Sequence, residues 1–293
     1  MKIGGLNMNK LGHVFRTIRL AKNLSLKDIA QGNISISFLS KFERDESDIS
    51  LSNFYSLLNK INVTIEEFSF IANDYKLLDQ EVLLDDIKSA YESNNIILLE
   101  KYKKKEMDLY IETNSPTYKF SYIMISAIIH TLDPSKDVSQ VDRDYISEYL
   151  LSIDTWGYFE IVLFGNSMNL LTMDSMVILS KEILKKTKMY MNLRVNRQEV
   201  IRILLNAVIF CVEGKRYADS LFFIKTLEDL LKDTDLFFEK TKLLFIRGLY
   251  EIKTNKIELG TKNCKKAIQI MYDLGSVEIA ANHEEYLDNC LSR

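Results

Sequence analysis

The sequence predicts an all-α protein built from two domains. Only 2 prolines and 10 glycines occur in 293 residues, where average usage would supply about 15 and about 20. So few helix breakers and turn residues favour long helices and argue against an all-β sandwich or barrel. At about 150 residues per domain the length indicates roughly two domains, which we place at residues 1–70 and 71–293.

The net charge of −3 is divided unevenly along the chain. Residues 1–63 carry nine basic and five acidic side chains, a net charge of +4, which leaves −7 for residues 64–293. A basic segment ahead of a larger acidic one favours nucleic-acid binding by the first segment. The N-terminus has no apolar signal region, and the longest uncharged runs have 13 residues, whereas a membrane span needs about 20. We therefore expect a cytoplasmic protein with no membrane partner.

Apolar periodicity and capping residues predict five short helices in the first domain. Ser25–Asp28 and Thr64–Glu67 each form a capping box, in which the first side chain and the fourth satisfy each other's backbone amides. Five short helices with a tight turn between the second and third are typical of a helix-turn-helix domain. The predicted helices cover Leu11–Ala21, Leu26 to about Gln31 with Gly32–Asn33 at its end, about Ile36 to Arg44, a stretch with Phe54, Leu57, Leu58 and Ile61, and one after Thr64 with Phe68 and Ile71.

The third predicted helix turns a polar face outward. At about 100° per residue, Leu39 and Phe42 fall on the inner side and Phe38 falls at the border. In a helix-turn-helix domain this third helix enters the major groove of duplex DNA. The alternative is an ordinary solvated face. We include two arginines that lie off the apolar stripe of the first helix, so the candidate DNA-binding residues are Arg16, Arg19, Ser37, Phe38, Ser40, Lys41 and Arg44.

The stretch from Phe38 to Ser50 resembles the "ISRFERGESEIS" element of the Rgg/GadR/MutR regulators of Gram-positive bacteria. Arg16-Thr17-Ile18-Arg19 matches the R-x-x-R of that family, and residues 57–68 resemble its "LLDKLNISIDEF". The resemblance covers essentially the whole chain. It implies an XRE-like DNA-binding head and a body of the RRNPP group, whose members bind short peptides. Glu43 is then expected to orient an arginine of the first helix rather than to contact DNA.

Four positions depart from the family pattern. Phe38 stands where many members have Gln, and Asp45 stands in place of Gly. Lys41 replaces Arg, which weakens bidentate recognition of guanine. Leu51 stands where some members have a cysteine that links two heads. A homodimer reading a promoter inverted repeat is still expected, because one recognition helix covers too few base pairs. The homodimer should persist in reductant, because leucine forms no disulfide. RNA polymerase is a further candidate partner.

From Asp74 to the end the sequence pattern is helical. A weak repeat joins Phe210–Tyr217 and Tyr250–Ile257, 40 residues apart, a spacing typical of TPR-like or HEAT-like helix pairs that stack around a concave surface. Trp156–Asn166 resembles the W-x-x-Y-E-x-x-L-F-x-N element of the Rgg family, and we expect Trp156 to be a packing anchor between helices. Predicted breaks fall near Asn94–Asn95, Asn114–Pro116, Asp133–Pro134, Asp154, Gly165–Asn166, Asn192–Asn196, Gly214, Asp233–Asp235, Asn255 and Gly275.

A polar face in this TPR-like domain is the candidate peptide site. Asn206 interrupts an apolar helical run, and its amide can both donate to and accept from a peptide backbone. Arg202 lies one turn earlier, and Lys242 follows Arg202 by one 40-residue period. We therefore predict that Arg202, Asn206 and Lys242 bind a short hydrophobic peptide, in a domain that also dimerises. The alternative for Asn206 is a hydrogen bond between helices.

The sequence contains no recognisable catalytic or metal-binding motif. His13, His130 and His283 are scattered, and Cys211, Cys264 and Cys290 form no CxxC pair. We therefore expect no enzyme activity, no cofactor and no metal site. The favoured function is a sequence-specific transcriptional regulator of quorum-sensing type, controlled by a peptide pheromone. The alternatives are a helical-repeat adaptor for protein partners and a regulator that does not respond to peptide.

Overall fold

The structure is a computed structural model that describes residues 2–3, 6–7, 10–30, 34–77 and 79–292. The chain divides into two compact units, Met1–Ser93 and Asn94–Arg293. The division therefore falls one helix later than the sequence-based boundary after residue 70. The predicted end of the second helix, Gln31–Asn33, lies outside the described residues. None of the described helices is both long and apolar enough to cross a membrane.

The first unit, called the head below, contains six helices in its described part, and the predicted all-α class is confirmed. The extended backbone in its described part is a minimal antiparallel pair, β1 (Lys2–Ile3) and β2 (Leu6–Asn7). All five short helices predicted from the sequence are present. The helices of the head are α1 (Leu11–Ala21), α2 (Leu26–Ile29), α3 (Ile36–Glu43), α4 (Leu51–Lys60), α5 (Ile65–Ala72) and α6 (Asp79–Glu92).

Serine and threonine caps set the starts of the short helices in the head. Both predicted capping boxes are confirmed: Asp28 accepts from the amide of Ser25, and Glu67 accepts from the amide of Thr64, each at 2.7 Å. Ser35 caps α3 by accepting from the amide of Phe38. Caps of this kind satisfy amides that have no partner within the helix.

The head core is a single apolar cluster with an aromatic chain through its centre. Phe15 contacts Phe42, Phe42 contacts Phe54, and Phe54 contacts Phe68, with ring centroids 4.9–6.4 Å apart. Phe15, Phe42 and Phe68 are buried. The aromatic chain joins α1, α3, α4 and α5, so the direction of α3 is determined by apolar packing on its inner side.

The second unit, called the body below, is a stack of ten α-helices over the described residues 94–292. Chain neighbours pack in pairs, as in α7 with α8, α12 with α13 and α14 with α15. The even-numbered helices also pack in series, α8 against α10, α10 against α12 and α12 against α14, as in TPR-like arrays. The helices of the body are α7 (Ile96–Thr113), α8 (Pro116–Leu132), α9 (Gln140–Ser152), α10 (Tyr158–Ser167), α11 (Met173–Lys186), α12 (Arg194–Glu213), α13 (Tyr217–Leu231), α14 (Phe237–Lys253), α15 (Ile257–Asp273) and α16 (Val277–Leu291).

The 40-residue repeat corresponds to two matching turns, one between α12 and α13 and one between α14 and α15. Lys215 and Asn255 occupy the same left-handed position, with φ of 58° and 67°. The amide of the next residue, Arg216 or Lys256, then donates to a carbonyl five positions earlier, at 2.7 and 2.8 Å. The repeat inferred from the sequence is therefore confirmed as a repeated pair of helices joined by the same kind of turn.

The predicted break near Gly165–Asn166 is placed slightly early, because both residues lie inside α10 and the helix ends at Ser167. Gly165 faces α12 closely enough that a Cβ there would come within 3.0 Å of the Ile203 side chain. The glycine thus allows two helices to approach and does not end the first one. The predicted break at Asn192–Asn196 is also too long, since α12 already begins at Arg194.

Trp156 is a packing anchor, as expected from the sequence. Its indole is fully buried just before α10, and its ring centroid lies 5.3 Å from that of Phe164. Its backbone amide donates to the carbonyl of Lys186 at 2.9 Å, which ties the start of α10 to the end of α11.

Glycines bring α14 and α15 into close contact. A Cβ on Gly260 would lie 2.4 Å from the carbonyl oxygen of Gly248, and a Cβ on Gly248 would lie 2.6 Å from the sulfur of Cys264. Real Cβ atoms are not found at such distances, so only glycine fits at both positions. The backbones of the two helices are therefore in direct contact at this crossing.

Candidate functional site

The outer surface of α3 presents most of the candidate DNA-contacting side chains. Ser37 and Lys41 are exposed on the helix, Arg44 is exposed directly after it, and Ser40 is half-buried. These four residues are called the basic face below. Phe38, at its border, is half-buried because its side chain packs against the head core. Arg16 is exposed on α1.

Arg19 does not belong to the exposed surface, which corrects the expectation that it contributes to DNA binding. Arg19 is only 5% exposed, and Glu43 beside it is 4% exposed. Arg19 donates to both carboxylate oxygens of Glu43, at 2.6 and 2.7 Å, and to the carbonyl of Leu24 at 2.5 Å. The hydrogen bond to Glu43 raises the pKa of Arg19. The expectation that Glu43 orients a first-helix arginine is confirmed, and that arginine is Arg19.

A tight backbone turn ends α3. The amide of Asp45 donates to the carbonyl of Phe42 at 2.8 Å, and the amide of Glu46 donates to the carbonyl of Lys41 at 2.9 Å. These are the two hydrogen bonds of a Schellman motif. Asp45 takes the left-handed position, with φ of 59°, a conformation that Asp adopts more readily than most residues. The departure from Gly at this position is thereby accommodated.

Asp45 also connects this turn to α1. Its carboxylate accepts from the amide of Gly12 at 2.7 Å, in the first turn of α1, where amides lack helical partners. A Cβ on Gly12 would lie only 1.7 Å from the carbonyl oxygen of Phe42. The start of α1 and the end of α3 therefore meet backbone to backbone.

Arg44 is held in one orientation by its neighbours. Its Nε and Nη2 donate to the two carboxylate oxygens of Glu46, both at 2.7 Å, and its Nη1 donates to the hydroxyl of Ser40 at 2.7 Å. The hydrogen bond raises the pKa of Arg44 and lowers that of Glu46, which Lys41 lowers further. Within the described part of the chain, no ion pair engages Lys41 itself.

The three candidate peptide-binding residues lie together on α12 and α14. Lys242 donates to the side-chain oxygen of Asn206 at 3.4 Å. Arg202 pairs with Glu199 at 2.7 Å and lies 3.7 Å from the carboxylate of Glu239. The helix-to-helix hydrogen bond considered for Asn206 is thus present, but it is long and leaves the side-chain NH2 group without a hydrogen bond to any described residue.

Lys242 is the most perturbed charge in this cluster. Burial lowers the pKa of its ammonium, the nearby guanidinium of Arg202 lowers it further, and Glu239 opposes both. Lys242 is also close enough to His283 on α16 to lower the pKa of that imidazole, on which burial acts most strongly. A half-buried ammonium with no carboxylate within 4 Å among the described residues is a candidate anion-binding group.

The sequence reasoning missed two carboxylates that shape these sites. Glu46 lies just past the predicted third helix, and its relation to Arg44 depends on the turn at Asp45. Glu239 precedes Lys242 by three positions on α14, a spacing that brings helical side chains together. The i, i+3 spacing was a usable signal for Glu239, whereas no local pattern pointed to Glu46.

The described residues contain no group of three or more His, Cys, Asp or Glu side chains that could hold a metal ion. Both sites present hydrogen-bond donors and charges. The basic face offers hydroxyl, ammonium and guanidinium donors. The cluster of Arg202, Asn206 and Lys242 in the body offers one guanidinium, one amide and one ammonium, beside the carboxylates of Glu199 and Glu239.

Two family models match this chain. The model described as "HTH-type transcriptional regulator Rgg, C-terminal domain" matches residues 96–285, which lie within the body. The model described as "Helix-turn-helix" matches residues 15–68, which include the basic face.

Solved structures resemble the chain over nearly its whole length. The SHP pheromone receptor Rgg2 of Streptococcus dysgalactiae is 28% identical, with a TM-score of 0.81 over 95% of this chain and 98% of that one. A Listeria monocytogenes EGD-e protein described as a transcriptional regulator is 21% identical, with a TM-score of 0.84 over 97% and 98%. PrgX in complex with cCF10 is 17% identical, with a TM-score of 0.73 over 97% and 93%. The last two similarities concern the fold alone.

Proposed function

The chain belongs to the Rgg family of HTH-type transcriptional regulators, and we propose that it is a sequence-specific regulator of quorum-sensing type, controlled by a short hydrophobic peptide. The family is one of DNA-binding transcriptional regulators and not an enzyme class. We expect the protein to act in the cytoplasm, where it meets DNA. The observation that carries the DNA-binding part is the basic face, supported from beneath by the Arg19–Glu43 pair.

DNA recognition is assigned to the basic face together with Arg16. Lys41 is the side chain best suited to a base edge, because it is exposed in the last turn of α3 and no ion pair with a described residue engages it. Arg16 and Arg44 are suited to phosphates. Arg19 has no place in this interface, since Glu43 already occupies its guanidinium.

DNA binding is tested with duplexes tiled across the region upstream of the gene. Lys41→Ala should weaken binding to the preferred duplex more than to a scrambled one. Arg16→Ala should weaken both and reduce the log–log salt slope by about 0.9. Lys265→Ala, which removes an exposed charge from α15, is the matched control. Unchanged affinity in both head variants would remove α3 from the interface, and no preference for any duplex would favour the adaptor hypothesis.

Peptide binding is assigned to the cluster of Asn206 and Lys242. An extended peptide buries apolar side chains, but each backbone amide left unpaired costs about 1–3 kcal/mol. Asn206 can serve one such peptide unit through its unbonded NH2 group and its weakly engaged oxygen. Lys242 is better suited than Arg202 to a terminal carboxylate, because Arg202 is already paired with Glu199. Rgg2, which is 28% identical, is described as a pheromone receptor, and this description supports peptide binding by the chain; the residues are assigned from their contacts alone.

A fluorescence-polarisation titration tests this assignment, using labelled peptides encoded by short reading frames beside the gene. Asn206→Ala should weaken binding about tenfold, the equivalent of 1.4 kcal/mol, and Lys242→Met should weaken it by a similar factor. Lys265→Met is the control. Duplex binding by the peptide-free variants should persist. If no peptide binds saturably, the protein is a regulator that does not respond to peptide.

A homodimer on a promoter inverted repeat is part of the proposal, with RNA polymerase as a further partner at that promoter. Leu51, at the first position of α4, is 69% exposed, and leucine cannot form the disulfide found in some relatives. The dimer should therefore scatter light as two chains with or without reductant. A monomer at micromolar concentration would contradict this part.

A further inference from the structure

We propose that Glu46 is a positioning residue for DNA recognition, which holds the guanidinium of Arg44 so that its remaining N–H groups face a bidentate acceptor on duplex DNA. The inference rests on the proposed DNA-binding function and deepens it. The acceptor is a pair of oxygens on one phosphate or the O6 and N7 atoms of one guanine, since both present the same paired chemistry.

The first support is the geometry of the pair. A guanidinium has five N–H groups arranged in two forks. Glu46 accepts from Nε and Nη2, which is one fork, and Ser40 accepts a single bond from Nη1. Two N–H groups of Arg44, one on Nη1 and one on Nη2, are not used by these contacts. Arg44 thus keeps donors for an outside acceptor while three bonds fix its plane.

The second support is the backbone beneath the pair. Arg44 is the C-cap residue of α3. Glu46 lies two positions later, and the hydrogen bond from its amide to the carbonyl of Lys41 fixes its backbone. Asp45 between them is fixed by its left-handed conformation and its bond to Gly12. The carboxylate of Glu46 therefore projects from an ordered turn, and the orientation of Arg44 is set before DNA arrives.

The third support is electrostatic. An acidic side chain on a surface that meets phosphates opposes binding by its charge. Glu46 is 52% exposed beside Arg44, close enough to Lys41 to interact with it. If Glu46 acted by charge alone, its removal would strengthen DNA binding. If it positions Arg44, its removal weakens binding even though the head becomes more positive. The two roles predict effects of opposite sign.

The experiment compares Glu46→Gln with Asp48→Asn in the full chain. Both changes remove one negative charge from the same exposed segment, but Asp48 makes no contact with Arg44 in the described structure. The probes are a randomised 30-base-pair duplex pool, the sequence that the wild type enriches from it, and a scrambled version. Asp48→Asn should raise affinity for both duplexes about twofold through charge. Glu46→Gln should lower affinity for the enriched duplex about fivefold, as expected for a charge-assisted contact.

A double substitution separates positioning from any other role. In an Arg44→Ala background, Glu46→Gln should no longer weaken binding and should behave like Asp48→Asn, because nothing is left to orient. Glu46→Asp should keep part of the wild-type affinity. Loss of affinity for both duplexes identifies a phosphate as the acceptor, and loss of preference at one base pair identifies a guanine.

Two outcomes overturn the inference. Equal gains in affinity from Glu46→Gln and Asp48→Asn would mean that Glu46 only opposes binding. An undiminished loss in the Arg44→Ala background would mean that Glu46 acts elsewhere. If the wild type enriches no sequence and binds no duplex, the proposed function itself fails, which is a distinct result. Amide exchange in the head peptides checks that each variant is folded.

Discussion

The carboxylate of Glu43 accepts two parallel hydrogen bonds from the guanidinium of Arg19, across 24 residues of sequence and with both side chains more than nine-tenths buried. The pair joins α1 to the last turn of α3, directly beneath the basic face. Because a buried ion pair depends on both partners, removing one of them leaves the other charge buried and unpaired beneath α3.

Removing one partner of this pair should destabilise the head strongly. Glu43→Ala leaves a buried, unpaired guanidinium, and we expect the head to lose about 3–5 kcal/mol of stability. The single tryptophan lies in the body, so hydrogen exchange of head peptides is the appropriate measurement. The double change Arg19→Met with Glu43→Leu should lose much less, since no charge remains buried. Equal losses in the single and double variants would contradict this account.

Gly12→Ala should also destabilise the head, through sterics. The new Cβ would overlap the carbonyl of Phe42, which is backbone and cannot rotate away. We expect a loss of about 2–3 kcal/mol or more, as for severe overpacking. Gly157→Ala in the body is the control, because its nearest neighbour lies 3.5 Å away in the flexible side chain of Glu160, and it should lose less than about 1 kcal/mol. Similar losses at both sites would show that the contact at Gly12 is not tight.

Peptide affinity should fall with rising pH if Lys242 holds a carboxylate. The charged ammonium binds the anion, so binding raises the pKa of Lys242. Full affinity is therefore present below the Lys242 pKa of the free protein and is lost as the pH rises through it. Burial lowers that pKa below its ordinary value of 10.5, so the loss should begin at a lower pH than an exposed lysine would give. Polarisation titrations between pH 7 and 10 check this with two N-acetylated peptides, one with a free C-terminal carboxylate and one with a C-terminal amide. An affinity of the free-acid peptide that does not change with pH would exclude the contact.

The cysteines should differ in reactivity towards iodoacetamide. Burial raises the pKa of Cys211 to about 11 and that of Cys264 to about 12, so neither thiol supplies appreciable thiolate at neutral pH. Cys290 is half-buried on α16. Mass spectrometry of the native protein should therefore find Cys290 alkylated first, with the other two modified only after unfolding. Rapid native alkylation of Cys211 would mean that α12 opens readily.

Local patterns were sufficient for the helices of the head. Capping boxes at Ser25 and Thr64 are contained within four residues, so they could be read from the sequence alone. The position of Arg19 could not. Its place on the helical wheel suggested exposure, whereas its burial depends on a carboxylate 24 residues away. The expectation for Glu43 pointed to the right pair without identifying which arginine it holds.

In the body, too, local sequence patterns did not reveal which distant residues contact each other. The repeat predicted that Arg202 and Lys242 occupy equivalent places, and the structure brings both near Asn206. Periodicity did not indicate that Glu199 and Glu239 surround Arg202 and thereby leave Lys242 as the less engaged cation. The sequence placed the end of α10 at Gly165 rather than at Ser167, because the residue that Gly165 packs against, Ile203, lies on another helix. Glycine that permits close packing and glycine that ends a helix look alike in one sequence.

The contact between Gly248 and Gly260 has a mechanical consequence for Lys242. Helices that touch through their backbones have no side-chain layer between them to absorb a displacement. A ligand that displaces α14 at Lys242 by a fraction of an ångström is therefore expected to displace α15 together with it. The displacement would then reach the turn between α15 and α16.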